Sequence, residues 1–273
     1  MYGFIFIYNM IADFHNDFLT EGKGSLSLFG TEAECMVCAL FRGSRREEEI
    51  FQILRRFAEE KAANQFLGLE DVGYLTDENY DAIMQYRPVY ASLTWNYETA
   101  FASGCLSAGG LKKEGKRLVK KLAEDGVFID CAHLNAESFC DLLDCGVRIL
   151  DSHTCSAALC GHPRNLEDWQ MSEITARGGL IGIAFVSDFL KDGGADMHDV
   201  FLHADHCVQK FGIASVCFGS DFYGTQNLPA GLTDYAQAEN LYNDFAAAGY
   251  KDRDIERIFY VNLHNFLYNH EKI

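Results

Sequence analysis

The chain has 273 residues, 48% of them hydrophobic, enough to bury one large core without disulfide support. Its 23 basic side chains against 40 acidic ones give a net charge of −17, which leaves no cationic surface to neutralise phosphate and so argues against nucleic acid and anionic membranes as partners. No low-complexity stretch or Pro/Ser-rich linker divides the chain, so residues 1–273 read as a single domain.

Taken in chain order, the opening stretch Met1 to Tyr8 is apolar. It lacks a basic leader and a small-residue cleavage site, and it reads poorly as a signal peptide. No apolar run is long enough to cross a bilayer, and a cytoplasmic location is expected. Strand-like apolar runs then recur at about 6–14, 36–41, 66–70, 89–95, 127–132, 148–152, 180–185 and 215–220, each followed by sequence of helical pattern. Near-continuous apolar runs suit parallel strands covered on both faces. Between them, Gly110 to Asp125 places Leu111, Leu118, Val119 and Leu122 on one face and a row of Lys and Arg on a solvated one. Asn135 and Asn165 stand where helices begin, and 232–268 reads as two closing helices. Eight such units predict a (β/α)8 TIM barrel, with a short, Gly/Ser-containing first crossover over residues 18–35. The ten cysteines are scattered, several of them inside apolar runs, as expected of buried thiols in a reducing compartment. Cys35-x-x-Cys38 has no second pair to make a zinc knuckle.

In such a barrel the chemistry lies at the C-terminal ends of the strands. The first run ends in Asp13-Phe14-His15-Asn16-Asp17, and residues two apart on a strand share a face, so His15 and Asp17 can reach one cation. The third ends in Leu69-Glu70-Asp71. Glu70 has the position of an inward ligand able to bridge two cations, and Asp71 that of a helix start. The fifth ends in His133, the sixth in His153 and the eighth in Asp221. A helix-like segment before the eighth carries His203 and His206, one of which a single turn can aim inward. One histidine in a barrel is usually a hydrogen-bonded core group. A whole rim of imidazoles and carboxylates is costly to bury unpaired and points to metal ions instead.

Seven ordered stretches resemble the membrane (renal) dipeptidase family: Asp13-Phe14-His15-Asn16-Asp17, Leu67-Gly68-Leu69-Glu70, Leu93-Thr94-Trp95-Asn96, Ile129-Asp130-Cys131-Ala132-His133, Asp151-Ser152-His153, Pro163-Arg164-Asn165 and Gly219-Ser220-Asp221-Phe222. The resemblance implies a metal-dependent dipeptidase with two Zn²⁺ ions and a hydroxide bridging them. His15 and Asp17 would hold the first ion, Glu70 would bridge, and His153 and His203 would hold the second; His203 is preferred to His206 for its spacing to Gly212 and Asp221. By the same resemblance His133 would lie over the substrate carbonyl and Asp221 would carry the proton, with a homodimer as a weak implication. Three departures stand out. The cation that holds the substrate carboxylate in relatives corresponds here to Ala214, an acid usual after Asp221-Phe222 is Tyr223, and the segment between Asp17 and Glu70 is short. Arg164 or Arg177 would then have to receive a carboxylate, and Arg164 and Tyr223 join His133 as substrate-binding candidates. Two other readings remain open: a dinuclear amidohydrolase acting on another small amide, lactone or ester, and a non-catalytic metal-binding protein.

Overall fold

A computed structural model of the chain describes residues 11–270. Eight parallel strands close on themselves in sequence order: β1 Ala12–Asn16, β2 Cys35–Phe41, β3 Gln65–Glu70, β4 Tyr90–Ser92, β5 Phe128–Asp130, β6 Ile149–Thr154, β7 Ile181–Ile183 and β8 Val216–Phe218. The seam is closed where Asp13 of β1 pairs with Phe218 of β8. This is the (β/α)8 barrel that the alternation of apolar runs predicts, and each run overlaps one strand. Four of the strands are only three residues long. The apolar runs overshoot them because the hydrophobic residues beyond each ladder bury themselves in the loops. The part of the first run before residue 11 and the apolar start of the chain lie outside the described residues.

Helices cover the outside of the sheet. Lys113–Glu124 buries Leu118, Val119 and Leu122. Its basic face meets acids on neighbouring segments, Lys116 facing Asp141, Arg117 facing Asp77 and Lys121 facing Asp81, so the row of cations is a solvated, paired surface. The short first crossover holds two single-turn helices, Phe18–Glu21 and Leu26–Phe29. The closing segment forms helices Ala238–Ala247, Asp252–Glu256 and Asn262–His270, the last two joined by a wide turn of π-helix over Arg257–Val261.

The two ends of the barrel differ in kind. At the N-terminal end, residues that begin strands, including Ala12, Cys35, Phe66 and Phe128, pack with Leu263 and Leu267 of the last helix. The Asn262 side-chain amide fastens that helix by donating to the Ile213 and Val216 carbonyls. The floor is thus an apolar plug. All ten cysteines are free. Cys35 and Cys38 lie buried on β2, and burial pushes both thiols up, Cys35 to about 12. Among the described residues no helix is long and apolar enough to cross a membrane.

Candidate metal centre

The opposite end is polar. Pairing along β1 is irregular between Asp13 and Asn16, and along β6 between Asp151 and Thr154. Such irregularities break the two-residue alternation and re-aim side chains, here in the stretches that carry His15 and His153. Asp17 lies one residue past β1, as the cap of the helix Phe18–Glu21, so it meets His15 through the turn rather than by strand alternation. Non-glycine residues with positive φ gather at the same rim: Asp71 at 54°, His133 at 71°, Asp221 at 58° and Tyr223 at 71°. Left-handed backbone at such residues costs free energy and persists where the surroundings enforce it, commonly at functional sites.

These elements bring six predicted residues together. His15 Nε2 stands 3.4 Å from Asp17 Oδ2 and 3.5 Å from Glu70 Oε2. His133 Nε2 stands 2.8 Å from Glu70 Oε1, and His153 Nε2 4.0 Å from the same oxygen. Three overlapping groups, His15/Asp17/Glu70, Glu70/His133/His153 and His15/His153/Asp221, each keep their donor atoms within 4.8 Å of one another. A Cβ on Gly224 would sit 2.2 Å from Asp221 Oδ1 and 2.3 Å from Asp17 Oδ2, so only glycine leaves room for this pair of carboxylates.

The hydrogen bonds behind the rings fix their tautomers. His133 Nδ1 lies 2.8 Å from Asn96 Oδ1, an oxygen that only accepts, so Nδ1 carries the proton. His153 Nδ1 lies 2.8 Å from Ser152 Oγ, whose own proton goes to Asp130 Oδ2 at 2.6 Å. His15 Nδ1 donates to Tyr90 Oη at 2.9 Å, and Tyr90 donates on to the Phe14 carbonyl at 3.1 Å. The Tyr90 ring reaches this place across Gly68, where a Cβ would fall 2.5 Å from it. All three Nε2 atoms therefore present lone pairs inward. Those of His133 and His153 face each other at 3.0 Å, and His15 Nε2 and Asp17 Oδ1 are buried with no hydrogen-bond partner among the described residues. Ring nitrogens this close and orphaned polar atoms are costly to bury unless a proton or a cation lies between them, and the residues present fit metal ions.

The electrostatics agree at two of the three rings, whereas His15, against its burial, is held well above the usual imidazole value by Tyr90, Asp17 and Glu70. Burial, then Arg164, drives the His133 imidazole down to about 4, and burial, then His15 and Arg164, drives His153 well down. Neutral imidazole is the form that ligates. Burial, then the neighbouring Asp17, raises Asp221 well above the ordinary value.

Comparison with known proteins agrees with this geometry. The family described as membrane dipeptidase (peptidase family M19) matches residues 49–273. The chain belongs to the membrane dipeptidase family. It is 29% identical over 225 residues to an uncharacterised protein encoded in the pqqA 5′ region of Klebsiella pneumoniae, covering 77% of this chain and 83% of that one. It is 28% identical over 188 residues to an uncharacterised dipeptidase of Schizosaccharomyces pombe, covering 64% of this chain and 45% of the yeast protein. Among solved structures, a metallopeptidase called dipeptidase AC superposes with a TM-score of 0.83 at 20% identity, over 95% of this chain and 98% of that one. A metallopeptidase of Rhodobacter sphaeroides, liganded with a phosphinate mimic of L-Ala-D-Ala, superposes with a TM-score of 0.80 at 18% identity, over 96% and 99%. Membership of this metallopeptidase family makes the chain a hydrolase that uses divalent metal.

Within this member of the dipeptidase family, several of the predicted site residues lie elsewhere than expected. His203 is not among the clustered donors. It is buried in the helix Met197–Phe211, its Nδ1 accepting from the Ser156 amide and its Nε2 donating to the Leu190 carbonyl, both at 2.9 Å. Both ring nitrogens are used, so His203 pins that helix to the loop after β6 and to the turn after β7. His206 faces Asp168 on the outside of the barrel. The second group of donors contains His133, whose Nδ1 is taken by Asn96 and whose Nε2 points at Glu70 and His153. Ala214 precedes β8, at the floor, so no side chain there reaches the rim. Arg177 precedes β7 at the same end and pairs with Glu173. Arg164 does lie at the rim. It is 4% exposed, donates from Nη2 to the His153 carbonyl at 2.9 Å, and has a buried Nε without a hydrogen-bond partner among the described residues. Tyr223 stands at the edge of the rim, its ring edge-on to Phe18 and Phe29 beside a cavity of about 610 Å³.

Sequence reasoning missed Tyr90, Ser152, Asp130 and Asn96 as the partners that orient the rings. One signal was available: each histidine-bearing strand end also carries an aspartate two or three residues before the histidine. Asp13 and Asp151 accept the amides of His15 and His153, and Asp130 accepts those of Ala132 and Ser152.

Proposed function

We propose that this protein hydrolyses the peptide bond of dipeptides, with two divalent cations held by His15 and Asp17 on one side, His133 and His153 on the other, and Glu70 between them. The observation that carries this reading is the pair of inward lone pairs of His133 and His153 at 3.0 Å, flanked by Glu70. A donor set of imidazole nitrogen and carboxylate oxygen is that of zinc. When bound, such a pair of ions supplies a hydroxide from water near neutral pH and polarises the scissile carbonyl.

The chain's own residues do the rest. Asp221 sits beside Asp17 with a raised affinity for protons, suited to accept the proton of the attacking group and return it to the leaving amine. Arg164, buried and with donor capacity to spare, receives the terminal carboxylate of the substrate, and its electrostatic reach covers His133, His153 and Asp221. Tyr223 borders the substrate on the β8 side. The alternative of another amide, lactone or ester rested on the cation absent at Ala214. That position lies at the wrong end of the barrel, and Arg164 fills the need. The Rhodobacter sphaeroides relative is liganded with a mimic of an L,D-dipeptide, which makes such peptides the first to test.

The test is metal analysis of the purified protein together with turnover of a panel of L,L- and L,D-dipeptides. Bound divalent metal that a chelator removes together with dipeptide turnover is the result expected. A metal-loaded protein that leaves every dipeptide intact while hydrolysing another amide or a lactone would replace the reading. A metal-loaded protein inert to all of them would leave a binding protein.

A further inference from the structure

The rim carries an aromatic surface that the metal centre does not use. Phe41 ends β2, in register with Glu70 on β3. Trp95 follows β4, with its ring centroid 5.7 Å from Phe41, 6.1 Å from Tyr97 and 6.2 Å from His133. Trp95 is 40% exposed and Tyr97 59%. Aromatic side chains are among the most favourable to bury, and here they form a shelf open to solvent against a histidine of the metal centre.

The shelf is held in place. Asn96, between the two aromatic residues, accepts from His133 Nδ1 and, at 3.4 Å, from Cys105 Sγ, and its carbonyl accepts from the Leu106 amide at 2.8 Å. The bond that orients His133 therefore also fixes Trp95 relative to the reacting centre, as a preorganised subsite requires.

Strand order gives the shelf a direction. Trp95 and Tyr97 follow β4, with Phe41 beside Trp95 from the end of β2; His133 follows β5 and Arg164 follows β6, whereas Asp17 and Asp221 follow β1 and β8. A substrate carboxylate at Arg164 lays the C-terminal residue over the β4–β6 half of the mouth and turns the amino end toward the acids. We propose that Trp95, with Phe41 and Tyr97, forms the subsite for the side chain of the C-terminal residue and selects a large apolar or aromatic one. This rests on the dipeptidase reading above and deepens it.

The experiment uses the metal-loaded full chain and Ala-Gly, Ala-Ala, Ala-Leu and Ala-Phe, with both configurations at the second residue. The wild type should prefer Ala-Phe to Ala-Gly in kcat/KM by about 10-fold or more, the scale on which an apolar pocket discriminates. Trp95→Ala should bring that ratio to within about 3-fold of unity, chiefly through KM, and Tyr97→Ala, at a more exposed position, should lower it by a smaller factor. An equal loss on Ala-Gly and Ala-Phe overturns the subsite. A binding readout stands beside turnover. The chain has two tryptophans, so Trp169→Phe leaves Trp95 as the only indole. Its emission should respond more strongly to a phosphinate mimic of Ala-Phe than to one of Ala-Gly, and an equal or absent response overturns the proposal. If no dipeptide is hydrolysed, the dipeptidase reading and the subsite fall together. If dipeptides are hydrolysed without C-terminal preference, only the subsite falls.

Discussion

The same eight strands end in two opposite environments. At the floor, strand-opening side chains meet Leu263 and Leu267 in a dry apolar plug. At the mouth, His15, Asp17, Glu70, His133 and His153 are also almost wholly buried, yet every one is polar. Apolar burial stabilises the fold wherever shapes match. Burial of unpaired carboxylates and imidazole lone pairs opposes it, and is retained only where something else is gained. Most of the strain follows the same division: of the five left-handed non-glycine residues among the described ones, Asp71, His133, Asp221 and Tyr223 lie at the mouth, and Arg87 lies before β4 at the other end. The floor is where this barrel is stable, and the mouth is where stability is given up for chemistry.

Substitutions at the two ends should therefore fail differently. The largest effect is expected from Glu70→Ala, which removes the carboxylate shared by both groups of donors. Turnover should fall by more than about 10³-fold, and metal analysis should show loss of bound ions. Retention of full metal content would break the assignment of Glu70 as the bridge. Asp221→Asn should lower kcat by about 10²-fold or more with metal content preserved, because it removes a proton acceptor and keeps the shape. If metal is lost along with turnover, Asp221 belongs to the ligand set instead. At the floor, Leu263→Ala should lower unfolding free energy by about 2–5 kcal/mol while each folded molecule keeps its metal and its turnover. Denaturant melts read beside metal content would reveal any leakage of one end's role into the other.

How much of this division was legible in the sequence differs between the two ends. The barrel was readable because a parallel strand covered on both faces must be apolar throughout, and eight such runs stand out. His15, Glu70, His133, His153 and Asp221 were readable because a polar residue closing an apolar run is conspicuous. The orientation of the His133 ring was not readable. Whether a ring binds a cation or faces a carbonyl depends on which nitrogen carries the proton, and that is set by Asn96, distant in sequence. Tyr90 and Ser152 were hidden for the same reason, since each looks like an ordinary strand residue until its hydrogen bond to a histidine is seen. The irregular register at His15 and His153 also left no mark on the apolar pattern.

His203 and His206 sharpen the comparison further, because they stand three residues apart on one helix and differ in what surrounds them. Sequence spacing alone could not set the phase of that helix, and in the structure neither stands among the clustered donors. His203 satisfies a buried amide and a buried carbonyl, so His203→Ala should cost about 1–3 kcal/mol of stability and leave metal content at the wild-type level. His206 meets Asp168 at a partly exposed surface, so His206→Ala should cost less than about 1 kcal/mol. The hydrogen bond from His206 is the main influence holding the Asp168 carboxyl below its usual range, against burial and with help from Lys210. A carboxylate with a depressed value stabilises the fold above its ordinary pKa and loses that contribution as pH falls through the depressed one. The stability gap between wild type and His206→Ala should thus be present near neutral pH and close as the solution is acidified below the carboxylate range, whereas most of the His203→Ala gap should persist. Thermal melts of the two variants across that range test both statements, and loss of metal from His203→Ala would return that residue to the ligand set.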